Sequence, residues 1–126
     1  MQAFLSVDLD NGSEILRILD LAKVKVSVAL WAHLSDYEDW RLILAGRQFD
    51  ALPTRMKAIR LLHDALNAAN FPIQKEPPIM ILAMNSPFIK DLRRAYAKST
   101  AVEGRRLGGQ LFGDRWVEDG YVYRIS

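Results

Sequence analysis

The side chains able to do chemistry are few, because the chain has no cysteine and only two histidines. Disulfides, thiolate nucleophiles and cysteine-ligated zinc are therefore excluded. His63 falls in a helical pattern with no ligand-type side chain at i+3 or i+4. Its neighbour Asp64 lies on a different helix face. His33 stands near the end of a strand-like run. A metal centre would need a third ligand from elsewhere, so both are read as structural or surface histidines, and no metal or cofactor is expected.

The carboxylates group in two places. Asp36, Glu38 and Asp39 form an acidic turn whose oxygens suit a hard cation, but the EF-hand spacing is missing. Glu118 and Asp119 lie in the final strand run and invite comparison with a metal-dependent nuclease. Such an enzyme wants acid-x-Lys on a neighbouring strand, and Asp39-x-Arg41 lacks the lysine. The nucleophile elbow, the P-loop and the dinucleotide fingerprint are all absent. Gly108-Gly109 leads into strand residues, which fits a bulge or a close backbone approach.

The strongest asymmetry is basic. From Ser86 to Arg106 the chain carries Lys90, Arg93, Arg94, Lys98, Arg105 and Arg106 against Asp91 and Glu103. One reading is the solvated face of an amphipathic helix. The other is a patch for phosphate-bearing partners. The sharpest form of the second is an anion site of Asn85, Ser86, Arg93 and Arg94, where a strand at Ile79 to Met84 meets a helix beginning at Pro87. A helix start leaves N–H groups unpaired and favours negative charge. In the plainer reading, Ser86 caps its own helix and Pro87 fills its first position.

The elements that must position these residues follow from periodicity. Ser13 or Asn11 can cap a short helix ending near Ala22, with Ile15, Leu16, Ile18 and Leu19 as its apolar stripe. From Lys23 the period becomes two, and Val24, Val26, Val28 and Leu30 face one side of a long strand. A polar connector and a second strand from Trp40 to Arg47 make an antiparallel pair. Thr54 caps a helix that runs to Asn70 and is stopped by Pro72. Ile79 to Met84 is apolar on both faces and reads as a doubly buried strand. Arg106 to Phe112 and Trp116 to Ile125 are extended around a turn at Gly113-Asp114.

These elements predict one α+β domain over 1–126, in the order α-β-β-α-β-α-β-β. Its sheet would be mostly antiparallel, with about five strands and about three covering helices. Half the residues are hydrophobic and a quarter charged, with a formal net charge of +2, which excludes a disordered chain, a collagen and a coiled-coil rod. The charge permits nucleic acid without pointing to it. The first twelve residues hold Asp8 and Asp10 and no Lys or Arg, so no secretory signal is expected. No apolar run approaches the roughly 20 residues of a membrane span. A cytoplasmic protein is expected, away from membranes.

Trp40-Arg41-Leu42, together with the ending Val117-Glu118-Asp119-Gly120-Tyr121-Val122-Tyr123-Arg124, resembles a group of small uncharacterised bacterial proteins. The resemblance implies an unassigned role and brings no catalytic residue. The leading expectation is a non-catalytic bacterial binding or adaptor protein. Three Trp and four Tyr supply aromatic surface for a protein partner or a homodimer. The competing class is an enzyme or binder acting on nucleic acid or a phosphorylated small molecule, through the basic helix 88–98 and Glu118 with Asp119.

Overall fold

A computed structural model describes residues 6–37, 39–96 and 102–126. Glu38 of the acidic turn and Lys98 of the basic run lie outside them.

The first helix, α1, spans Ser6–Leu21 and buries Ile15, Leu16, Ile18 and Leu19. It runs straight through Asn11-Gly12-Ser13, where the sequence predicts a start. Gly12 is present for packing. A Cβ there would overlap the Tyr123 hydroxyl and come within 2.7 Å of Trp31 Nε1. Lys23 takes a positive φ of 65°, turning the chain out of the helix. The strand β1 begins only at Val28 and ends at Leu34.

All seven residues of β1 are buried, so it is the doubly covered strand of the molecule. It pairs antiparallel with β2 (Arg41–Ala45) on one side and with β6 (Arg115–Ile125) on the other. Beyond β2 lies β3 (Ile79–Ile81), parallel to it, and on the far edge of β6 lie β4 (Arg106–Leu107) and β5 (Gln110–Phe112). The order β3-β2-β1-β6-β4, with β5 also on β6, is a six-stranded, mostly antiparallel sheet. The α+β class and element order are those the periodicity predicts.

The segment Ile79 to Met84 differs from its expectation. Only Ile79–Ile81 is strand; it sits on the edge, and Ile79 and Met80 are half-buried. Its run is apolar because its residues serve different layers. Ile81 joins the cluster on one face of the sheet, while Leu82 and Met84 join the cluster on the other.

Two helical layers supply that cover. On one face α1, α2 (Arg47–Asp50) and α3 (Arg55–Ala68) pack on Trp31, Leu42 and Leu44. On the other face α4 (Pro87–Tyr96) and the β5 turn pack Phe88, Ile89, Leu92 and Phe112 against Val28, Leu30 and Ile43. Each such buried aliphatic side chain contributes about 1.5–3 kcal/mol. Thr54 caps α3 as expected, accepting the Lys57 N–H at 3.2 Å. The short α2 stands where the sequence predicts a strand end, and it is preceded by Gly46, whose extended backbone lies against the Lys25 carbonyl too closely for any Cβ.

Candidate functional site

The topology opens a crevice beyond the ends of β2 and β3. β2 and β3 are parallel neighbours, and their chains leave in opposite directions. From β2 the chain passes to α2 and α3 on one face; from β3 it passes to α4 on the other. Adjacent parallel strands that part in this way leave a cleft beyond their carboxyl ends, the place where open α/β sheets bind ligands. Here the cleft has a volume of about 690 Å³, within the size of small-molecule sites.

The cleft is built from distant parts of the chain. Arg47, Asp50 and Arg55 come from α2 and α3, and Asn85, Lys90 and Arg93 from the α4 side. Phe49, Leu52, Ala58, Ile81, Leu82 and Met84 supply the apolar lining. The Asp50 carboxylate accepts the Met84 N–H at 3.1 Å, joining the two sides.

Several arginines outside the cleft have carboxylate partners: Arg17 has Glu14, Arg94 has Asp91 at 2.8 Å, Arg106 has Asp119 at 2.7 Å and Arg124 has Asp20 at 2.9 Å. Arg41 and Arg105 lie instead over the Tyr37 and Tyr96 rings, at 3.9 and 5.2 Å, and Arg60 and Arg115 have no ion pair among the described residues. Among the described residues, Arg47, Arg55 and Lys90 have no ion pair, and all three are exposed. Arg93 donates its Nε–H to the Ser126 carbonyl at 2.9 Å, which leaves the rest of its guanidinium uncommitted among the described residues.

Of the four residues expected at the anion site, the structure brings Asn85 and Arg93 to the cleft. Ser86 is half-buried beside it; its hydroxyl donates to the Ala83 carbonyl at 2.8 Å, and its own carbonyl accepts the Lys90 N–H at 2.9 Å. Arg94 is engaged with Asp91 and is not part of the lining. Sequence reasoning missed Arg47, Asp50 and Arg55. They lie thirty or more positions upstream of Asn85, and only the parallel pairing of β2 with β3 joins them to it.

The other candidates lie elsewhere. The buried His33 presents Nδ1 to Glu118 Oε2 at 2.9 Å, and its ring lies 5.9 Å from that of Trp40. An irregularity in the β1–β6 register between His33 and Leu34 puts the Glu118–Asp119 pair opposite His33. His63 pairs with Glu76, tying α3 to the segment before β3. Among the described residues no group of three or more His, Cys, Asp or Glu could hold a metal ion. Nor is any described helix long and apolar enough to cross a membrane.

The acids and the cleft stand at opposite ends of the sheet. Val28, beside Ala45, marks the cleft end of β1, and His33, opposite Asp119, is five residues along it, a separation of roughly 17 Å. No family model, curated protein or solved structure matches this chain.

Proposed function

We propose that this is a non-catalytic binding protein and that the cleft beyond β2 and β3 holds a phosphate-bearing small molecule. What carries the reading is the gathering of Arg47, Arg55 and Lys90, uncommitted, around one small-molecule-sized cleft. Guanidinium groups match phosphate with two parallel hydrogen bonds, and an ammonium adds a point charge. Like charges around one cavity repel one another until an anion relieves them.

The same lining argues for binding over turnover. It holds no histidine, the Thr54 hydroxyl caps α3, and Asp50 accepts the Met84 N–H. A small ligand in the cleft does not reach Glu118 and Asp119, so the basic helix and the acids do not form one centre. The bacterial cytoplasm is the proposed setting, from the resemblance of the C-terminal strand.

Titration with inorganic phosphate, followed by amide NMR, tests the reading. Amides of Arg47, Met84, Asn85 and Ser86 should shift at millimolar phosphate, and silence at all four would refute it. Metal-stimulated cleavage of nucleic acid or a phosphate ester, abolished in Glu118→Ala, would replace it with an enzyme.

A further inference from the structure

Resting on the reading of the cleft as an anion site, we infer that its ligand is a phosphorylated sugar or polyol rather than a nucleotide or a nucleic-acid strand. Three features of the lining select this chemistry.

The first is Asp50. A carboxylate among cations opposes a ligand that is anionic throughout. Its two oxygens have about four lone-pair sites, and among the described residues the Met84 N–H is their only bonded partner. Asp50 is exposed and lines the cleft, so the remaining sites accept from a ligand. The molecule that suits both Asp50 and the surrounding cations carries hydroxyl donors as well as phosphate. Asn85, exposed in the same lining, adds an amide that both donates and accepts.

The second feature is the lack of a stacking surface. Proteins that hold bases without reading their edges stack them on aromatic rings. The aromatic residue of this lining is Phe49, only 3% exposed and packed into the core below. The apolar remainder, Leu52, Ala58 and Ile81 among it, is aliphatic, and aliphatic surface accepts the C–H face of a sugar ring.

The third feature is the placing of charge. Arg47 and Arg55 stand on the α2–α3 side, Lys90 and Arg93 on the α4 side. Cations on both sides of a cleft hold a compact phosphate ester between them. A strand tracked along its backbone would need a charged groove continuing across the surface.

Calorimetric titration of the intact chain decides the matter, with inorganic phosphate, ribose 5-phosphate, glucose 6-phosphate, fructose 1,6-bisphosphate, AMP and a single-stranded oligonucleotide as probes. At least one sugar phosphate should bind tenfold or more tighter than inorganic phosphate. AMP should gain less than threefold over ribose 5-phosphate. In Asp50→Asn, whose amide oxygen still accepts the Met84 N–H, inorganic phosphate should bind more tightly and the sugar advantage should disappear. If inorganic phosphate binds and no sugar phosphate exceeds it, the sugar inference fails and the anion site stands. A tenfold preference for AMP or the oligonucleotide over every sugar phosphate also overturns the inference. If no phosphate compound binds at all, the anion reading falls with it.

Discussion

The two ends of β1 hold their charged groups differently. At the His33 end, cross-strand pairs join His33 with Glu118 and Arg106 with Asp119, and Arg41, opposite Ala32, lies over the Tyr37 ring. At the Val28 end, Arg124 pairs with Asp20, but Arg47, Arg55 and Lys90 surround a cleft whose one carboxylate, Asp50, bonds backbone. Exposed ion pairs contribute at most about 1 kcal/mol each, so the matched end is not matched chiefly for stability. The informative side of the comparison is the unmatched end, where folding gains nothing from clustered cations. Side chains that do nothing for the fold, collected where the topology makes a cavity, are the mark of a site kept for a ligand.

The largest expected effect comes from breaking the support of the cleft's α4 side. Gly113, between β5 and β6, has a φ of +60°, and a Cβ there would stand 2.6 Å from the Phe88 nitrogen and 2.7 Å from the Pro87 carbonyl oxygen. Its N–H donates to Asp91 on α4 at 2.7 Å. Gly113→Ala combines a left-handed backbone with overlap against main chain that has no rotamer to escape into. The cost should be about 3 kcal/mol or more, read as a lower urea midpoint. Phosphate binding should weaken as well, because α4 carries Lys90 and Arg93. An unchanged midpoint would show that α4 is not seated by this turn.

Next in size is the loss of the cations themselves. Replacing both Arg47 and Arg55 by alanine should lower inorganic phosphate affinity about 100-fold, or about 2.7 kcal/mol. The urea midpoint should hardly move, a change within about 0.5 kcal/mol, because these exposed side chains have no ion-pair partner among the described residues to lose. A large loss of stability with affinity intact would invert the comparison.

Much of this architecture was legible in the sequence, and the exceptions share a physical cause. The alternation that begins at Lys23 and the capping Thr54 are local signals; the first led to β1, though the strand starts only at Val28, and the second to α3. Gly12 misled because a glycine inside a helix looks the same whether it breaks the helix or makes room for Tyr123 and Trp31. Ile79 to Met84 misled because apolar residues serving two layers in turn look like one strand buried twice. Two of the four residues anticipated at an anion site, Asn85 and Arg93, do line the cleft. Arg47, Asp50 and Arg55 were not, since no periodicity encodes which strand lies beside which.

A smaller effect sharpens the contrast by testing a satisfied polar group. The Tyr123 hydroxyl accepts from Trp31 Nε1 at 2.9 Å and donates to the Leu9 carbonyl at 2.6 Å. Burial pushes its pKa from 10 up to about 12. The folded state therefore holds its proton more tightly than the unfolded chain. That stability is fully present below about pH 10 and is lost as pH rises through about 12. The full two-unit shift corresponds to about 2.7 kcal/mol, which solvent around this half-buried group reduces to about 1 kcal/mol. Urea midpoints at pH 9 and pH 11 should fall more for the native chain than for Tyr123→Phe. Equal slopes would remove Tyr123 from the balance.

The smallest effect asks whether the two ends feel each other. Asp119→Asn removes a charge from the exposed pair with Arg106 and keeps an oxygen for the Gly120 N–H, which Asp119 accepts at 2.8 Å. Stability should change by about 0.5 kcal/mol or less. Across roughly 17 Å of strand, one charge acts on another through water with about 0.2 kcal/mol. For a phosphate dianion that doubles, so the variant should bind inorganic phosphate up to about twofold more tightly at low ionic strength. The screening length is about 30 Å at 0.01 M salt and about 8 Å at 0.15 M. The gain should therefore vanish at the higher concentration, even though the variant also leaves Arg106 unneutralised. Phosphate titrations of both chains at the two salt concentrations measure it. A tenfold change persisting at 0.15 M could not be Coulombic over that distance. It would mean that the matched end and the cleft move together through the sheet, and the division between them would fail.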